Sequence, residues 1–306
     1  MPLIFAAPLQ GYTDAPYRRA HAETFGGIDE YYTPFVRIEH GQIRPHDIRD
    51  IISPLNSGLR VVPQIICRDA GELALLRDAV AAAGFHHIDV NMGCPFVPQV
   101  RRGRGAGLLA HRDSVFGIAR VMAADPEIKY SVKMRLGVER PDEWHETVAA
   151  LDDVPLRHIC VHPRTARQQY RGDLYIDQYQ AIKAASRHKI VFNGDIRTIA
   201  DARRLSDEYA LMIGRGLLAR PSLAAELSDG NMMSDDRLRA GVLEMHRRLY
   251  EHYRSILCGD TQILSKLKTF WDYADETLWG RKMLKSIRKS TGIVNYMDIV
   301  NSNLKI

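Results

Sequence analysis

Long apolar runs are missing from this 306-residue chain. None approaches the roughly 20 residues that a membrane-spanning helix needs. The opening Met1-Pro2-Leu3-Ile4-Phe5 carries no basic stretch and reads as a first strand rather than a signal peptide. Cysteine is scarce. Cys67, Cys94, Cys160 and Cys258 are scattered without CxxC or Cys/His ligand spacing. That argues against a structural zinc or an iron–sulfur cluster, so no metal is expected, and it suits a reducing cytoplasm. No GxGxxG follows the first strand, and no acidic residue stands at the matching distance, which argues against a dinucleotide-binding doubly wound sheet. Charge of one sign is not in great excess either. Lys and Arg number 42 against 37 Asp and Glu, a formal net charge of +5, which permits a polyanionic partner without requiring one.

What is present is an alternation. Short apolar, β-branched runs fall at Ile4–Leu9, Tyr31–Val36, Val61–Cys67, His87–Asn91, Tyr130–Leu136, His158–His162, Ile190–Asn193 and Leu211–Ile213. Helical patterns separate them, among them Ala70–Ala83, Ser114–Ala124, Asp142–Leu151, Ile176–Ser186 and Ile199–Ser206. Eight strands alternating with helices in this length predict an α/β fold, a closed (β/α)8 TIM barrel. From about Ser228 the pattern changes. Met245, Leu249 and Tyr253 recur at helical spacing, as do Leu264, Leu267 and Trp271, without strand signals. The prediction is a barrel over 1–230 followed by a small C-terminal α-helical bundle over 231–306.

The polar residues fall where a barrel places its chemistry, at the C-terminal ends of the strands. They are Pro8 and Gln10, Arg37, Gln64, Asn91 with Cys94, Lys133 with Arg135, His162 with Arg164, Asn193-Gly194-Asp195 and Gly214-Arg215-Gly216. Cys94 stands between Gly93 and Pro95, ahead of a loop carrying Gly103, Gly105 and Gly107. A cysteine there is more often a small buried hydrophobe, but Asn91 and the glycine loop favour chemistry. Gly214-Arg215-Gly216 and Asn193-Gly194-Asp195 suit a phosphate, since glycine admits backbone N–H groups and Arg215 supplies charge. Flavin mononucleotide fits the rest: Gln64 and Asn91 for the pyrimidine edge, Lys133 for negative charge on the reduced ring, and main chain around Pro8–Gln10 near N5.

These motifs together resemble the tRNA-dihydrouridine synthases. The matching segments are Ala7-Pro8 with Gly11, Thr13 and Asp14; Asn91-Met92-Gly93-Cys94-Pro95; and Val100 leading to Gly103, Gly105 and Leu108. Lys133-Met134-Arg135-Leu136-Gly137 follows, then His162 with Arg164-Thr165, Gln168, Tyr170 and Gly172, then Asn193-Gly194-Asp195 and Gly214-Arg215-Gly216. The resemblance implies an FMN-dependent enzyme, reduced by NADPH or NADH, that reduces the C5=C6 bond of a uridine in tRNA. FMN would contact Pro8, Leu9, Gln10, Gln64, Lys133, His162, Asn193, Gly194, Asp195, Gly214 and Arg215. Cys94 would protonate C5 as general acid, so it should remain a thiol. Asn91, Arg135, His162 and Arg164 would orient uracil or flavin, and Tyr170 would touch the tRNA. The uridine must be flipped to be reached. Arg37 at the rim and Lys266, Lys268, Arg281, Lys285 and Arg288 of the C-terminal helices are expected on the backbone, the last three within a basic run, Arg281 to Lys289.

The chain also departs from the family. Leu9-Gln10 follows Ala7-Pro8 where a methionine is usual, Pro163 replaces a glycine between His162 and Arg164, and Pro98-Gln99 stands where a lysine is common. Phe35-Val36-Arg37 resembles the branch that acts on position 16 of the D-loop. A cytoplasmic monomer is expected. Two alternatives are an FMN barrel acting on a free pyrimidine, as in dihydroorotate dehydrogenases, and a tRNA-binding protein without catalysis.

Overall fold

Nine short parallel strands fill eight positions around a barrel in the computed structural model, which describes residues 1–304. In chain order they are Leu3–Ala6, Glu30–Tyr32, Val61–Val62 with Gln64–Ile65, His87–Met92, Lys129–Gly137, Ile159–Thr165, Ile190–Phe192 and Ala210–Ile213. The last pairs with the first, Leu3 opposite Ala210 and Ala6 opposite Ile213. The third position is broken by Pro63, which has no N–H to donate to a ladder. Val61–Val62 pairs with Glu30–Tyr32, and Gln64–Ile65 pairs with His87–Met92. The Pro63 carbonyl still accepts from Asp89 N at 2.9 Å, which carries the ring across the break.

The expected strands are present but several end early. The first stops at Ala6 rather than Leu9: Ala7 N still donates to Ile213 O, and Pro8 has no hydrogen to continue. The second stops at Tyr32, with Val36 returning to bridge Ile65. Helix Ala70–Ala82 begins at Asp69, whose carboxylate accepts from Glu72 N. Helix Ala15–Thr24 and helix Pro45–Ile51 fill places the alternation implies but the sequence pattern does not mark, and the hairpin of Ile38–Glu39 with Gln42–Ile43 is an addition to it. Ala15–Thr24 hides because two of its inward residues are polar. Arg18 is held by Thr13 O, Asp50 and Asn56, and His21 by the Tyr31 hydroxyl and Pro221 O.

Between strands and outer helices lies a core of Ile65, Leu73, Ile88, Val90, Met92, Val132, Met134, Val161 and Ile182. After Gly230 the chain is helical: Asp235–Ile256, Asp260–Thr269, Glu276–Trp279, Arg281–Lys289 and Ile293–Leu304. Leu238, Met245, Leu249, Leu267, Trp271, Leu284 and Tyr296 form a second core that takes in Tyr17 and Ala20 of the first barrel helix. A side chain at Gly241 would sit 2.6 Å from the Phe25 ring, so only glycine lets the long helix approach that closely. Tyr12 donates to Asp272 and Lys266 reaches Asp14, which ties these helices to the barrel mouth. No described helix is long and apolar enough to cross a membrane.

Candidate active site

Parallel barrel strands ordinarily read as continuous apolar runs because both faces are buried. Three strands here alternate instead. Ile88, Val90 and Met92 face the outer core, so period two turns His87, Asp89 and Asn91 into the lumen. Ser131, Lys133 and Arg135 do the same on the next strand, and Cys160, His162 and Arg164 on the one after. The register sets Asp89 opposite Ser131, Asn91 opposite Lys133 and Arg135 opposite His162. A polar column therefore climbs the barrel to its mouth.

Its lower part fixes its upper part. Asp89 accepts from Ser131 Oγ at 2.6 Å and from Gln64 Nε2 at 2.7 Å. An ionised carboxylate only accepts, so it turns the Gln64 amide to point its nitrogen down and its oxygen up. That oxygen takes a hydrogen from Asn91 Nδ2 at 2.8 Å, which leaves Asn91 Oδ1 to accept from Gly93 N at 3.0 Å and Cys94 N at 2.9 Å. Burial pushes the Asp89 carboxyl up to about 6.

The Cys94 loop is clamped from two further sides. Arg135 donates to Gly93 O at 3.0 Å and to Thr165 O at 2.9 Å, joining the loop to the neighbouring strand end. Beneath it, Gly105 has φ +59°, and a Cβ there would lie 2.8 Å from Cys94 Cβ. The glycine loop is thus a packing surface for the cysteine. Burial pushes the Cys94 thiol above its ordinary value, against the opposing pull of the Phe96 N–H, Arg135 and Lys133. Cys94 is half-buried and carries its proton at neutral pH.

Across the mouth, Lys133 Nζ donates to Asn193 Oδ1 at 2.7 Å, and Asn193 Nδ2 donates to Met212 O at 2.7 Å. Burial lowers the Lys133 ammonium from its usual range. Burial, then Arg135 and Lys133, hold His162 well below the ordinary imidazole value, so it is neutral and accepts from Arg164 at 3.2 Å. Asp195 bridges two guanidinium groups, Arg164 at 2.5 Å and Arg215 at 2.7 Å. The Tyr170 ring lies under Arg215 and Arg135, 4.4 and 5.3 Å from their guanidinium carbons. Among the described residues, the N–H groups of Gly194, Gly214 and Arg215 meet no acceptor.

These residues surround a cavity of about 510 Å³. Of the positions chosen from sequence, Pro8, Leu9, Gln10, Arg37, Asn91, Cys94, Lys133, Arg135, His162, Tyr170, Asn193, Gly194, Asp195, Gly214 and Arg215 line it. Gln64 does not. It is fully buried below Asn91 with both ends of its amide engaged. Arg164 is also behind the wall, holding His162, Gly172 O and Asp195. The five C-terminal basic residues lie away from the cavity. Lys268 donates to Arg288 O and Ser290 O, capping the end of helix Arg281–Lys289. Arg281 and Arg288 reach Glu276, and Lys285 is exposed. Tyr12, Phe96, Arg102 and Tyr273, which the sequence did not single out, also line the cavity, as do Phe35 and Gln99, noted there only as family features. Phe96, Gln99 and Arg102 follow Cys94 closely enough to have been found; Tyr12 and Tyr273 meet only through folding. No cluster of three or more metal-ligating side chains occurs among the described residues.

The dihydrouridine synthase (Dus) family model matches residues 5–286. A tRNA-dihydrouridine(16) synthase of Cupriavidus necator is 32% identical over 300 residues, covering 90% of this chain and 91% of its own length. One from Pseudomonas syringae pv. tomato is 31% identical over 237 residues, 74% of each chain. A probable tRNA-dihydrouridine synthase of Rhodobacter capsulatus is 29% identical, covering 84% of this chain and 80% of its own. Among solved structures, morphinone reductase superposes with a TM-score of 0.52 at 12% identity, over 76% of this chain and 87% of its own, which speaks to the barrel fold. By the family match across nearly its whole length and the identity shared with these relatives, this chain belongs to the dihydrouridine synthase family.

Proposed function

We propose that the protein reduces the C5=C6 bond of a D-loop uridine in tRNA, with Cys94 as the proton donor. The observation that carries the reading is the thiol itself. It sits at the cavity mouth, protonated, on a loop whose position is fixed by Asn91, Arg135 and Gly105. A general acid must hold its proton until the transition state and be held where the proton is needed. Two relatives named for position 16 favour that uridine.

The cavity suits FMN. The free N–H groups of Gly194, Gly214 and Arg215 and the Arg215 guanidinium suit its phosphate, and Pro8, Leu9 and Gln10 offer main chain to its ring. Lys133, steadied by Asn193, and neutral His162 stand where they would hold the flavin or its substrate. When bound and reduced by NADPH or NADH, FMN supplies the hydride for C6. Cys94 gives its proton to C5, leaving a thiolate for solvent to reprotonate. Asn91 and Arg135 keep Sγ in place while this happens. Gln64 acts one layer down, holding Asn91 rather than meeting the flavin. The uridine reaches the cavity only when flipped out of its stack. The fold's lumen being lined by fixed polar groups favours this reading over a barrel that binds tRNA without catalysis.

The test is nucleotide-resolved dihydrouridine mapping of transcript tRNA after incubation with protein, FMN and NADPH. One modified D-loop position is expected. A protein that oxidises NADPH while every tRNA uridine stays intact overturns the proposal and favours a free pyrimidine.

A further inference from the structure

Phe96 is the one exposed phenylalanine of the eight in the chain, 61% accessible, and it stands two residues from the proposed proton donor on the wall of the same cavity. Val97 beside it is exposed too, so the apolar surface at this edge of the cleft is contiguous rather than one scattered ring, and contiguous apolar surface marks contact sites. The backbone at Phe96 is well defined. Pro95 precedes it, Pro98 follows two residues later, and each fixes its own φ. The Phe96 carbonyl accepts from Gln99 N at 2.8 Å and Val100 N at 3.1 Å, which starts the single helical turn Val97–Val100 at Phe96.

That turn ends in cations. Arg101 and Arg102 are exposed, and neither makes an ion pair among the described residues. Arg104, two positions on, is by contrast closed onto Glu72 and Ile38 O. Arg102 lines both the main cavity and the adjoining hollow that contains Arg68 and Glu39. An exposed aromatic face near uncompensated guanidinium groups is the composition that holds unpaired nucleotides, the ring for a base and the cations for its phosphate.

We propose that Phe96, with Arg101 and Arg102 behind it, is a stacking seat for the nucleobase next to the flipped uridine. This rests on the tRNA reading above. When one nucleotide leaves the stack, its neighbour is left with an open π-face at the mouth, and Phe96 replaces the lost partner. The seat would also supply, by stacking, a grip that Pro98-Gln99 does not supply by charge. It predicts a preference for tRNA whose flanking position is unpaired, and little dependence on which base stands there, because every base has a face to stack.

The experiment uses full-length protein and transcript tRNA carrying 2-aminopurine at D-loop positions in turn. Fluorescence is read on binding to the oxidised protein, without turnover. Quenching at a single flanking position is expected with wild type and with Phe96→Trp, and its loss with Phe96→Ala. In steady state Phe96→Ala raises KM for tRNA roughly tenfold, Phe96→Trp stays within twofold of wild type, and kcat changes little in either. Arg102→Gln raises KM and flattens its salt dependence. Unchanged quenching and KM in Phe96→Ala overturn the seat. A wild type that reduces no tRNA uridine overturns the function instead, and the quench still decides the stack by itself.

Discussion

Cys94 is asked to be an acid, and its surroundings agree. Burial raises the thiol above its ordinary value, so the proton stays on at neutral pH and is lost only at higher pH. Since only the thiolate is nucleophilic, alkylation by iodoacetamide in a Cys258→Ser background should reach half its maximal rate at a pH above the ordinary thiol range. A midpoint near neutrality would remove Cys94 from the role. Asp89 makes a second prediction. Its carboxyl is raised from 3.8 to about 6 by burial, so the folded state binds a proton that the unfolded state releases. The stabilising contribution of that proton is complete below the unfolded value and is lost as pH rises through about 6. Between pH 4 and pH 7 the difference in unfolding free energy between Asp89→Asn and wild type should shift in favour of the variant by about 2 kcal/mol. Urea unfolding at pH 4 and pH 7 reads it, and parallel pH profiles would contradict it. In sequence Asn91 and Cys94 were legible because a polar residue and a glycine-flanked thiol at a strand end need explaining. Asp89 was not, since one aspartate in an apolar run gives no sign of which amide it will orient.

The elements around the site were read mostly from period, and their ends from punctuation. Strands are expected to run long because Leu9, Val36 and Cys67 are as apolar as the strand residues before them; Pro8 and the turn after Tyr32 stop the first two, and Pro63 splits the third, which resumes at Gln64–Ile65. The glycine loop was noticed for its composition, while its purpose is contact. At Gly105 both the positive φ and the space are used, so Gly105→Ala should lower stability by about 1–3 kcal/mol and displace the Cys94 loop. Dihydrouridine formation should fall at least tenfold at temperatures where circular dichroism shows the variant folded. Wild-type turnover in a folded variant would mean the loop tolerates the shift. The basic helix Arg281–Lys289 shows the opposite limit of reading by composition. Its charge run was plain, but Lys268 from helix Asp260–Thr269 is turned in to cap its end, and Glu276 engages two of its arginines.

As a whole the molecule is a barrel with a helical bundle against its first helix, and that attachment puts Tyr273 at the cavity edge. The bundle therefore helps to shape the mouth through Tyr12, Asp272 and Tyr273, contacts that no local sequence pattern carries. With a net charge of +5, tRNA affinity should drop at least roughly tenfold between 50 and 200 mM salt. A binding isotherm that does not move with salt would remove the electrostatic grip and leave stacking and shape to hold the RNA. The reaction itself is tested by single-turnover mixing. FMN-loaded protein is photoreduced, mixed with transcript tRNA without oxygen, and followed by flavin absorbance, with dihydrouridine counted at the end. The structure predicts reoxidation matched by one dihydrouridine per flavin, slowed at least ~100-fold in Cys94→Ala. Reoxidation by free pyrimidines but not by tRNA, or an unslowed Cys94→Ala, would contradict it.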